Sequence, residues 1–212
     1  MTEQTIMRIH PIVLVLAGLT AISTTPSPVR AQDAEAEKLA TQTCASCHGP
    51  GGSSISPAFP KIAGQRAEYL ESQLKAFRDH TRADPMAQAF MWGMTSQLSD
   101  STIKNLAAFY AKQKPAPGKA GDPKLIEKGR AIYEAGAGAD KAQACVTCHG
   151  PGAEGNAIFP RLAGQHAEYL VKQLVQFKSS LREGSNAALM HTVTTNMTFD
   201  QMEAVAAYLA SL

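Results

Sequence analysis

Four cysteines and two histidines, arranged in one repeated pattern, are the residues of this chain best placed to do chemistry. Cys44-Ala45-Ser46-Cys47-His48 and Cys145-Val146-Thr147-Cys148-His149 contain every cysteine of the 212-residue sequence. Two thiols three positions apart can add to the two vinyl groups of a haem. The histidine that follows at once can then lie beneath the ring and ligate its iron. Cys-x-x-Cys-His is the attachment pattern of c-type haem. Zinc is the main rival for paired Cys-x-x-Cys motifs. Here the pairs lie 101 positions apart, whereas a zinc ribbon keeps them within about 15–20 residues. Local disulfides would leave the histidine of each copy unexplained. Two covalent haem c groups are therefore expected, one per copy, with electron transfer as the chemistry they bring.

A six-coordinate iron needs a second ligand opposite each histidine. Beyond the N-terminal segment the chain has Met86, Met91, Met94, Met190, Met197 and Met202. The register of the repeat separates them. Met91 stands seven positions before Leu98, and Met190 stands seven positions before Met197, the equivalent residue. These two are the expected distal ligands. The expected iron-ligand set is therefore His48, Met91, His149 and Met190. Met197 and Met202 take the places of Leu98 and Ile103 and read as core side chains, the commoner use of methionine. Met94 faces Val193 in the register and is the rival of Met91. Among histidines, His191 adjoins Met190 but corresponds to Trp92, whereas His80 and His166 read as solvated. Pro60 and Pro160 follow the haem histidines by 12 and 11 residues. A ligating imidazole gives its free N–H to a fixed acceptor, and a backbone carbonyl near either proline could serve. Proline shaping a loop is the alternative.

The elements that position these residues are written twice. Ala58-Phe59-Pro60-Lys61-Ile62-Ala63-Gly64-Gln65 recurs as Ile158-Phe159-Pro160-Arg161-Leu162-Ala163-Gly164-Gln165, and Glu68-Tyr69-Leu70 recurs as Glu168-Tyr169-Leu170. Gln73-Leu74 and Phe77 return as Gln173-Leu174 and Phe177. A single duplication at an offset near one hundred is a tandem domain, not a solenoid. Each copy reads as helical, without the alternation of a β-sheet. Leu125, Ile126, Gly129, Ile132 and Tyr133 trace the helix before the second motif; Ala36, Leu39 and Ala40 trace its weaker equivalent. Leu70, Leu74 and Phe77, with their counterparts, trace a middle helix. A last helix begins near Ser99 and near Thr198, where Thr198 and Gln201 fit a capping box. Gly129 permits close helix approach, which Ala40 would serve less tightly.

The N-terminus reads as a secretory leader. Arg8 and His10 precede an apolar run from Ile12 to Ile22, and Val29-Arg30-Ala31 fits a signal-peptidase site. The run has 11 residues, too few for a membrane span of about 20. The expected division is 1–31 leader, 32–114 first haem domain, 115–122 Pro/Gly-rich linker and 123–212 second haem domain. Export suits haem c, since paired thiols outside the inner membrane otherwise tend to oxidise. The net charge of +2 falls to +1 with the leader's two arginines and one glutamate removed. No basic stripe points to nucleic acid.

In Cys-x-x-Cys-His-Gly twice, Phe-Pro-Lys/Arg-x-Ala-Gly-Gln twice, the Glu-Tyr-Leu-x-x-Gln-Leu helix and Met91-Trp92-Gly93-Met94 before Leu98-Ser99-Asp100, the chain resembles the dihaem class I cytochromes c of the c4 type. The resemblance implies an all-α fold of two tandem haem domains related by a pseudo-twofold axis. It implies histidine–methionine ligation, with Pro60 and Pro160 as acceptors for the proximal imidazoles. It also implies a periplasmic electron carrier, not an enzyme, between an upstream quinol-oxidising cytochrome complex or dehydrogenase and a downstream oxidase. A dihaem electron-accepting subunit of a periplasmic dehydrogenase, such as a sulfide-oxidising flavocytochrome, is the alternative. Two departures stand out: the first helix of copy one lacks the expected glycine, and Met197 replaces a leucine.

Overall fold

The computed structural model describes Met1 and residues 28–137, 143–184 and 186–212. Most of the expected leader, including its apolar run, lies outside the described residues. The expected cleavage point after Ala31 falls in the first turn of α1 (Pro28–Lys38). Among the described residues no helix is long and apolar enough to cross a membrane.

Helices dominate, as expected. In the first half, α1 runs into a π-helical segment (Leu39–Cys44), and α2 (Ala45–His48) carries Cys47 and His48. Then come α3 (Ala67–Arg78), a second π-helical segment (Ala87–Met91), α4 (Trp92–Thr95) and α5 (Asp100–Ala111). The second half repeats the order with α6 (Pro123–Ala135), α7 (Val146–His149), α8 (Ala167–Lys178), α9 (Ala187–Thr194) and α10 (Phe199–Ser211). The described residues hold no strand; one isolated bridge joins Asn156 to Phe159.

Local chemistry sets the boundaries. Ser99 caps α5 by accepting from the Thr102 amide. Thr198 and Gln201 form the reciprocal capping box of α10, which satisfies two amides left free at a helix start. Asp122 caps α6 with Pro123 in the first turn, where a missing N–H costs nothing.

In each half the last helix packs on the first and on the middle one. Ala36, Ala40, Leu70, Leu106, Ala107 and Tyr110 cluster in half one. Half two has a larger cluster that includes Tyr133, Leu170, Met197, Met202, Val205 and Leu209. Met197 and Met202, 2% and 1% exposed, are core side chains, as their register suggests. The helix contact of half one is made despite its lack of glycine, through Ala36 and Ala40, each 1% exposed.

In half two the contact is tighter. A Cβ on Gly129 would stand 1.9 Å from the Ala204 carbonyl oxygen of α10. Helix propensity alone favours alanine by about 1 kcal/mol, but the clash is with backbone, and overpacking of this kind costs about 1–3 kcal/mol or more. Gly129→Ala is therefore expected to destabilise half two by a net 1–2 kcal/mol, roughly. A thermal melt should show a midpoint lower by several degrees; an unchanged or raised midpoint would mean that the helices part freely.

The halves meet through the loops after the haem motifs. Lys61 Nζ donates to the Gly164 carbonyl at 2.7 Å, and Lys119 N in the linker donates to the Ala210 carbonyl at 2.8 Å. His166, read from sequence as solvated, instead bonds through Nε2 to the Ser54 carbonyl of the other half at 3.0 Å. His80 stacks on Trp92 with ring centres 4.1 Å apart. His80 remains exposed, as its sequence reading expects.

Candidate functional site

One cavity of about 810 Å³ runs through both halves. Cys44, Cys47, His48 and Met91 line one end, and Cys145, Cys148, His149 and Met190 line the other. All eight expected attachment and ligand residues thus face the same space.

The short helices α2 and α7 hold the second cysteine and the histidine of each motif. Both end on a glycine with positive φ, Gly49 at +76° and Gly150 at +80°. A Cβ on Gly49 would also meet the Ser53 carbonyl at 2.7 Å. Glycine after the histidine therefore lets the chain turn away from the site at once.

The two histidines sit in matching environments. His48 Nδ1 lies 2.9 Å from the Pro60 carbonyl oxygen, and His149 Nδ1 lies 2.9 Å from that of Pro160. A carbonyl oxygen can only accept, so Nδ1 carries the proton in both rings and Nε2 keeps its lone pair. That is the tautomer a metal-binding imidazole needs, with the second-shell acceptor that orients it. Burial holds both imidazoles below the usual pKa range, against the opposing pull of the proline carbonyls. Phe59 and Phe159 approach the two rings edge-on, with centroids 6.4 and 6.3 Å away.

The thiols fit covalent attachment better than ligation of a bare cation. Burial pushes Cys145 up to about 11 and raises Cys44 as well. Among the described residues no group of three or more His, Cys, Asp or Glu side chains is placed to hold a bare metal ion. With apolar walls, two fixed tautomers and two thiol pairs, the residues present fit two haem c groups.

Around Met91 and Met190 the repeat persists in detail. Thr95 and Thr194, both fully buried, donate to the Met91 and Met190 carbonyls at 2.8 Å each. Trp92 Nε1 donates to the Arg82 carbonyl at 2.9 Å, and His191 Nε2 takes the same position on the Arg182 carbonyl at 2.9 Å. His191 therefore does the structural work of a tryptophan, and its Nε2 is turned toward backbone. Met86, Met94 and Met197 also line the cavity. Met94 is 48% exposed.

Between the two ends lies a polar cluster that sequence reasoning missed. Arg82 and Arg182 are 6% and 7% exposed. Gln73 Oε1 accepts from Arg82 Nη1 at 2.7 Å and from Arg182 Nη2 at 3.2 Å; Gln173 Oε1 does the reverse at the same distances. Each guanidinium also lies over the phenylalanine of its own half, Phe77 or Phe177. The symmetry breaks at the counter-charge. Asp84, 1% exposed, pairs with Arg82 Nε at 2.8 Å, whereas Gly184 holds the equivalent place and Arg182 donates to Tyr69 Oη at 2.9 Å. Arginine and glutamine recurring in register, Arg82 with Arg182 and Gln73 with Gln173, was the available signal.

Comparison with known proteins follows the same division. The family model described as cytochrome c matches residues 34–114 and again 126–212. Cytochrome c4 of Azotobacter vinelandii is 38% identical over 191 residues, which is 86% of this chain and 90% of that one. The thiosulfate dehydrogenase electron acceptor of Thiomonas intermedia is 38% identical across 80% of this chain and 78% of its own length. The solved structure of Acidithiobacillus ferrooxidans cytochrome c4 superposes with a TM-score of 0.74 at 38% identity, covering 80% of this chain and 98% of that one.

Proposed function

Because this chain belongs to the cytochrome c family, as a dihaem member of the c4 type that carries electrons on two covalently bound haem c groups, we propose how its residues divide that work. Cys44 and Cys47 attach one haem and Cys145 and Cys148 the other; His48 with Met91 and His149 with Met190 hold the two irons. Residues 32–114 and 123–212 form the haem domains, joined by 115–122 after a leader that ends at Ala31. The protein works in the periplasm, between a quinol-oxidising complex and a terminal oxidase.

Bound haem supplies the one-electron Fe(II)/Fe(III) couple. The protein's part is to fix ligands and exclude water. The Nδ1 bonds orient the imidazoles, and methionine sulfur as the second ligand would favour the reduced state relative to a second histidine. Were a histidine and a methionine to hold each iron, no side chain would need to act as acid, base or nucleophile. The observation that carries this reading is the identical 2.9 Å bond from each motif histidine to its proline carbonyl.

A second reading is favoured by one relative, the thiosulfate dehydrogenase electron acceptor. On it, this chain takes electrons from a periplasmic dehydrogenase before passing them on. The two readings separate in one experiment. The reduced holoprotein should be oxidised within milliseconds to seconds by membranes of the native host, and inhibition of the terminal oxidase by cyanide should stop this. Retained reducing equivalents in the uninhibited membranes, with rapid reduction by a purified periplasmic dehydrogenase, would displace the first reading in favour of the second.

A further inference from the structure

The repeated Phe-Pro-Lys/Arg-x-Ala-Gly-Gln motif ends on a glutamine that lines the cavity and is not among the expected iron ligands. Gln65 and Gln165 are 7% and 8% exposed, and each reaches into the opposite half. Gln165 Oε1 accepts from Lys61 N at 2.9 Å, and its Nε2 donates to the Lys61 carbonyl at 2.8 Å. Gln65 Oε1 accepts from Arg161 N at 2.7 Å, and its Nε2 donates to the Arg161 carbonyl at 2.9 Å. The same oxygens also accept from the amides of His166 and Arg66, at 3.1 and 2.9 Å.

Lys61 N belongs to the peptide unit whose carbonyl is that of Pro60. One planar amide therefore accepts from His48 Nδ1 on one side and donates to Gln165 of the other half on the other. The Pro160–Arg161 amide links His149 to Gln65 in the same way. An amide whose N–H is bonded has a more negative oxygen, since resonance couples the two ends. Hydrogen-bonded chains polarise one another by about 10–30% per bond in a low-dielectric interior.

We propose that Gln65 and Gln165 are crossed positioning residues: each sets the hydrogen bond of the proximal histidine in the half opposite its own, so that docking of the halves tunes both reduction potentials. Gln165 acts on His48, and Gln65 acts on His149. A stronger acceptor at Nδ1 makes the imidazole a better donor to iron and favours the ferric state. Weakening that acceptor does the opposite. The proposal rests on His48 and His149 being the proximal ligands.

The test uses reduced holoprotein carrying ¹⁵N-labelled histidine, with the two Nδ1–H resonances assigned. In Gln165→Leu the His48 signal should move upfield and that of His149 should hold. In Gln165→Glu, which keeps an oxygen for the Lys61 amide but loses the amide donor to the Lys61 carbonyl, the His48 signal should move less than in Gln165→Leu. Gln65→Leu and Gln65→Glu should give the mirror result at His149. His166→Ala, which removes a contact across the same interface without touching either amide, should move neither. In potentiometry the Fe(II)/Fe(III) ratio of half one at fixed ambient potential should rise about threefold in Gln165→Leu, or about 28 mV at 59 mV per tenfold. Signals that move together, stay fixed in both variants of one glutamine, or move in the same half as the substitution overturn the proposal. Absence of both Nδ1–H signals from the unsubstituted protein would instead overturn the ligand assignment on which it rests.

Discussion

Met190→Ala protein, reduced at neutral pH, is expected to bind about one equivalent of carbon monoxide, where the unsubstituted protein binds none on a comparable timescale. The ferric variant should lose about half of the weak near-red absorption of methionine-sulfur ligation, since one of two such sites is removed. The surroundings of Met190 explain why nothing should replace it. Met197 lines the same cavity but is 2% exposed and packed into the core of half two. His191 is adjacent, yet its Nε2 is bonded to the Arg182 carbonyl. Half one differs, because Met86 and Met94 line the cavity beside Met91, and Met94 is 48% exposed and so free to turn. Met91→Ala should therefore show a smaller loss, and the paired substitution of Met91 and Met94 a loss equal to that of Met190→Ala. A Met190→Ala spectrum identical to the unsubstituted one, with no carbon monoxide bound, would remove Met190 from the ligand set.

Duplication made much of this legible in the sequence. A residue that serves the haem should recur in both copies; Met91 and Met190 do recur in register, and both line the cavity. The caps at Ser99 and Thr198 were readable because capping is a local exchange between a side chain and amides three residues away. The π-helical segments at Leu39–Cys44 and Ala87–Met91 were not, since they replace one backbone register by another with no change of composition. Contacts between the halves were illegible for a different reason. Gln65 with Arg161 and His166 with Ser54 join residues about one hundred positions apart, and only the docked halves bring them together. Arg82 and Arg182 belong to the same class of long-range contact: only the docked halves supply the two shared glutamines that, with one aspartate, make their burial tolerable.

Substituting Cys145 and Cys148 together by alanine should leave one haem per chain and unfold most of half two. The walls of the second haem site are core residues: Leu170, Met197, Val205 and Leu209 belong both to the cavity lining and to the hydrophobic cluster of that half. Without haem these apolar walls lose their packing partner and face water, and the whole stability of a domain is only about 5–15 kcal/mol. The clusters predict how far the damage spreads. Half one keeps Leu70, Leu106 and Tyr110 around its own haem, although it loses the partners of Lys61 and Gln65. It should stay folded but melt at a lower temperature. In the reciprocal variant, with Cys44 and Cys47 replaced, half two should be the more robust survivor, because its cluster is the larger one and includes Tyr133 and Tyr208. Intact-mass analysis gives the haem count, and limited proteolysis shows which half is cut. A variant that keeps two haems, or that loses one and resists the protease throughout, would show that these cores stand without the macrocycle.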